Sequence, residues 1–283
     1  MTSISRTALQ GVEIPRVQAG PPLADAWRVA THASVYAQVA GAAFAEAADD
    51  GLRWAEDDFG RAVRGVGVGK DGVYAAFKFE GMELALMRPD GRTVASTVLR
   101  GVACDDAYRW MAAQCEQAFG AAKRDLPAYA PPTIFALDAV PKALNDLADL
   151  LDASREILEK ARQADELCGE IELKDRAPRM AVELAPGEVR SAAIAFGFHG
   201  DGWFARAETA DEAIDFEGLM AKLKVGEWIA DAASSVPTAF LPVESLAEAD
   251  SAAGRGEMVA NFLGSAVNGL ALVLGERGSE RDD

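Results

Sequence analysis

Two hydrophobic rhythms alternate along the chain. Between residues 61 and 99 the period is two: Val63-Arg64-Gly65-Val66-Gly67-Val68, then residues 73–79, 82–86 and 93–99, punctuated by Lys70-Asp71-Gly72 and Pro89-Asp90-Gly91. Alternation bounded by turn residues predicts a β-meander, with one sheet face against helices and one toward water. Elsewhere the apolar positions step by three and four. Trp27, Ala30, Val35, Val39 and Phe44 predict a helix over residues 23–48. Tyr108, Met111, Cys115 and Phe119 predict another, capped by Asp105 or Asp106 and ended at Gly120. Pro141 opens a third, striped by Leu144, Leu147, Leu151, Ser154, Leu158 and Ala161. A short buried strand is expected at residues 133–137.

The strand pattern returns later. Residues 180–184 and 189–199, across the Pro186-Gly187 turn, read as strands, and Trp203-Phe204-Ala205 begins a return strand after the His199-Gly200-Asp201-Gly202 hairpin. A helix is expected over residues 215–234 and a short strand at 237–241. Residues 257–274 are apolar nearly all round, which predicts a helix buried between other elements, with Gly264 and Gly269 placed for close approach.

Ala76-Phe77-Lys78-Phe79-Glu80-Gly81 recurs 119 positions on as Ala195-Phe196-Gly197-Phe198-His199-Gly200. Trp110 answers Trp228 at nearly the same offset, and Phe135 answers Phe240 after one deletion. The reading is an α+β protein of antiparallel meanders packed with helices, in two related tandem halves. Residues 1–22 form an arm or a disordered leader, 23–169 the first half, 170–178 a connector, 179–274 the second half and 275–283 a disordered tail.

Charge narrows the partners. A net charge of −17 argues against a nucleic-acid partner, which calls for a basic face, and against an anionic membrane surface. The charge is concentrated in residues 166–283. Cys104, Cys115 and Cys168 are an odd number without CxxC spacing, which fits a reducing, cytoplasmic setting. No apolar run reaches the ~20 residues of a membrane-spanning helix, and residues 1–18 lack the core of a secretory signal.

The candidate motifs fail on chemistry. Gly65-Val66-Gly67-Val68-Gly69-Lys70 has Arg64 where a phosphate loop needs glycine and Asp71 where it needs Ser or Thr. The acidic groups near Gly51 lack calcium-loop spacing. With two histidines, His32 and His199, no closed metal set is available, and no metal or cofactor is expected. Cys104 stands at a helix N-terminus, but the two following carboxylates oppose thiolate formation. His32 reads as a structural or surface residue. The binding candidates are His199, Asp201 and Trp203 on the second hairpin, with Glu80 as the counterpart of His199 in the first. The expected function is non-enzymatic binding of a protein or small-molecule ligand. The alternative is an enzyme whose scattered carboxylates assemble with His199 in the fold.

Overall fold

The computed structural model describes residues 4, 6–57, 60–131, 133–165, 168–174, 179–184, 192–209, 223, 225–230 and 237–280. It is an α+β protein with two antiparallel sheets, and the chain divides into two compact units.

One unit comprises Gly20–Ala148 with Glu172–Arg179. Helix α1 (Pro21–Val39) starts at the proline pair, where a missing N–H costs nothing. The prolines therefore open the helix rather than close the arm. The helix ends in a π-turn over Ala40–Phe44. Five strands follow: β1 (Arg53–Asp57), β2 (Gly60–Arg64), β3 (Tyr74–Lys78), β4 (Glu83–Met87) and β5 (Thr93–Val98), in sheet order β1-β2-β3-β4-β5. The register Val63↔Phe77↔Leu84 puts these three on one face with Ala75 and Leu86, all fully buried, where α1 meets β2 and β3. Gly65 allows that approach, since a Cβ there would lie 2.1 Å from the Ala37 carbonyl oxygen. Helix α2 (Cys104–Phe119) carries Ala103 at its N-cap, without a side-chain cap. Asp105 and Asp106 sit in its first turn and share Arg109 instead of capping. Residues 133–137 contribute only a single bridge, Ala136 to Ala103, and Ile134 is 62% exposed. Helix α3 (Pro141–Ala164) has residues in both units and buries every member of the expected stripe. Strand β6 (Glu172–Lys174) completes the elements of this unit.

The other unit comprises Met1–Ala19, Asp149–Ile171 and Met180–Asp283. Strands β7 (Arg179–Leu184), β8 (Ala192–His199), β9 (Gly202–Thr209), β10 (Glu227–Ala230) and β11 (Pro237–Pro242) run in the order β10-β11-β9-β8-β7. Phe196, Phe198, Trp203, Ala205, Ala239 and Leu241 share a buried face by register. Helix α4 (Ala252–Glu280) contacts β8, β9 and β11. It continues through residues expected to be a disordered tail, and a close approach occurs at Gly256, where a Cβ would lie 1.7 Å from the Val12 carbonyl oxygen. The leader is a docked arm: Ile4, Leu9, Val12 and Ile14 are at most 1% exposed. Asn268 pins its start, accepting from Ile4 N at 3.0 Å and donating to Ile4 O at 3.1 Å. Arg255 Nε donates to Ile14 O at 2.9 Å.

The echoed hexapeptides both form strands flanked by their sequence neighbours, β3 between β2 and β4, and β8 between β7 and β9. Their turns differ. Lys78 pairs with Glu83 around four turn residues, whereas His199 pairs with Gly202 around two. Trp228 lies on β10, not on a helix, so it does not match Trp110 on α2. The Pro186-Gly187 turn and most of the helix expected at 215–234 lie outside the described residues, as does part of the connector.

Candidate functional site

A chain of polar groups in the first unit offers the most organised chemistry. His32 and Tyr36 occupy one face of α1, four residues apart, and Tyr129 approaches from the proline-bounded segment after α2. Tyr36 Oη lies 2.7 Å from the Cys104 carbonyl oxygen, Tyr129 Oη lies 2.9 Å from Tyr36 Oη, and His32 Nδ1 lies 2.8 Å from Tyr129 Oη. The direction of this chain follows from its end. A carbonyl only accepts, so Tyr36 spends its one proton on Cys104. Tyr129 must then donate to Tyr36, and His32 Nδ1–H must donate to Tyr129. The imidazole is thereby fixed as the Nδ1–H tautomer, with its lone pair on Nε2. No hydrogen bond engages Nε2 among the described residues, and His32 is only partly buried.

The surroundings keep all three groups neutral. Burial, reinforced by the nearby Arg28 charge, holds the His32 pKa below its ordinary value. Burial also raises both tyrosines well above theirs. Rings pack around the chain. Tyr108 stacks on Tyr129 at 4.9 Å and donates its hydroxyl to the Pro127 carbonyl. Phe135 meets the His32 ring edge-on at 4.9 Å, and the Arg28 guanidinium sits 4.8 Å above Phe135. The arrangement can hold an acceptor nitrogen in a fixed place beside aromatic surface. It cannot relay a proton, because a backbone carbonyl at the far end has none to exchange.

The residues singled out from sequence occupy other settings. Trp203 is fully buried against Phe198, with its indole nitrogen lacking a hydrogen-bond partner among the described residues. His199 and Asp201 are exposed at the β8–β9 turn, where Asp201 N donates to His199 O at 2.6 Å and Val243 N to Asp201 O at 2.7 Å. Glu80 clamps the β3–β4 turn to β2. Its two carboxylate oxygens accept from Arg61 Nε at 2.9 Å and Arg61 N at 3.1 Å. Partial burial pushes the Glu80 pKa up, but these hydrogen bonds outweigh it and hold the carboxyl below its usual range. The His32 cluster was half visible in sequence, through the i, i+4 spacing of His32 and Tyr36. Tyr129, lying between Pro127 and Pro131, gave no pattern.

Cys104 is buried beneath the tyrosines, and Cys115 lies in the core, where burial pushes its thiol up to about 12. Among the described residues no three His, Cys, Asp or Glu side chains gather as a metal site requires, and no helix is long and apolar enough to cross a membrane. The chain matches no family model, no curated protein and no solved structure, so its function is argued from this geometry.

Proposed function

We propose that the protein is a non-enzymatic binding protein whose ligand docks at the His32 surface, on a group that donates a hydrogen bond to Nε2 and lies against Phe135. One observation carries this reading: the tyrosine chain fixes the imidazole tautomer, with Nε2 as an acceptor on a partly buried residue. A preoriented acceptor avoids the ordering cost that a mobile side chain incurs on binding. The protein or small molecule that fits carries an N–H or O–H beside a flat apolar surface. We take the protein to act in the cytoplasm, and the sequence echo to be a repeated hairpin rather than a repeated half.

The enzymatic alternative passes from His199 to His32, because a neutral imidazole with an open lone pair is also a general base. The lowered His32 pKa favours binding, since a weaker base abstracts a proton less readily. The test is a fragment screen on the full chain, followed by nitrogen-15 spectra of the histidines. A ligand of this site shifts the His32 Nε2 resonance and is recovered unchanged. His32→Ala abolishes its binding. Tyr129→Phe frees the tautomer and weakens binding by roughly fivefold to tenfold, the worth of one hydrogen bond. Ligands that bind His32→Ala as well as the parent would sink the proposal, and turnover would favour the alternative.

A further inference from the structure

The second face of the first unit's sheet carries an arrangement that costs stability and that the His32 reading does not use. Ala62, Tyr74, Ala76 and Met87 form a floor, each at most 8% exposed. With Arg64 and Lys78 they line a shallow recess that is open to solvent. Arg64 lies directly opposite Arg53 in the β1–β2 register, and like charges facing each other across strands repel. The chain has 45 carboxylate side chains, yet neither arginine forms an ion pair among the described residues. Lys78 adds a third cation, held loosely by Glu83 at 3.4 Å. The Arg64 guanidinium rests on the Tyr74 ring at 5.5 Å. That contact orients it while leaving its N–H fork unspent. The Tyr74 hydroxyl also has no hydrogen-bond partner among the described residues.

We propose that this recess is an oxyanion site for a compact phosphate monoester. The phosphate lies at the mouth of the recess between Arg53 and Arg64 within reach of Lys78, and the organic group projects outward from it. Two arginines at paired positions of adjacent strands suit a dianion, and the arginine fork matches two phosphate oxygens at once. A bound dianion converts the repulsion between the strands into attraction to a shared partner. The site uses none of the residues of the His32 surface.

The experiment is a calorimetric titration of the full chain in chloride buffer with phenyl phosphate, inorganic phosphate and benzoate, at matched ionic strength. Phenyl phosphate is expected to bind saturably and to raise the melting temperature, with inorganic phosphate weaker and benzoate weakest. Arg64→Ala reduces phenyl phosphate affinity about tenfold or more, and Arg64→Lys does not restore it, because a point charge lacks the fork. His32→Ala leaves it unchanged. Arg53→Ala, exposed on an edge strand, is the second variant: it weakens binding and raises the melting temperature in anion-free buffer by relieving the repulsion. Absence of saturable phenyl phosphate binding overturns the proposal, as does full affinity in folded Arg64→Ala. Benzoate binding as tightly as phenyl phosphate overturns the phosphate assignment.

Discussion

Acid is expected to weaken the fold partly through His32. Its folded pKa is depressed by burial and by Arg28, so between that value and about 6.5 the unfolded chain holds the extra proton. The His32 contribution is fully present above about pH 6.5 and is lost as pH falls through the folded pKa. Urea denaturation at pH 7.5 and 5.5 should therefore show a smaller loss for His32→Gln than for the parent chain; equal losses would mean that His32 is not held neutral. The same residue shows where sequence reading stops. His32 and Tyr36 share a helix face, and that spacing is readable. The partners that give the imidazole its tautomer arrive from positions 104 and 129 through the fold alone. Trp203 shows the converse: its place beside a polar hairpin suggested a contact surface, but strand alternation turns it inward beside Phe198.

Elements with regular apolar spacing or clear turn residues at their ends were the legible ones. The meander over residues 60–98 and the leucine stripe of α3 follow directly from apolar spacing, because each central strand or buried helix face must be apolar at fixed intervals. Three strands were not anticipated, β1, β6 and β10, and of these β1 and β10 lie at sheet edges. Arg53-Trp54-Ala55-Glu56-Asp57 satisfies half its backbone with β2 and answers to solvent elsewhere, so charge replaces alternation. Trp228 was read into a helix for the same reason. Two glycines on α4 make a sharp test of the packing at this scale. Gly256→Ala drives a methyl into the Val12 backbone and should destabilise by about 1–3 kcal/mol, as overpacking does. Gly254→Ala meets only side chains, the Ser251 hydroxyl at 3.1 Å and the Ala249 Cβ at 3.6 Å, and no backbone within 4 Å outside its own helix. It should gain up to about 1 kcal/mol from helix propensity. Thermal melts of the pair should move in opposite directions. Shifts of the same sign would mean that the arm does not lie where Val12 places it.

Across the whole molecule, one unit is assembled from three separated stretches of chain, whereas residues 20–148 of the other are continuous. The arm presents four buried apolar side chains, each worth roughly 1.5–3 kcal/mol once covered. Its anchor at Ile4 waits on Asn268, 264 residues further along. On a ribosome adding ~5–20 residues per second, that interval is roughly 13 to 50 s. For that time the arm lacks the α4 surface that covers it, while the continuous stretch already has its own core. Nascent chains stalled near residue 200 should therefore protect residues 20–148 from protease and leave the arm open to cleavage. The order of synthesis thus makes the N-terminal segment an early client for a chaperone and the last strap to be fastened.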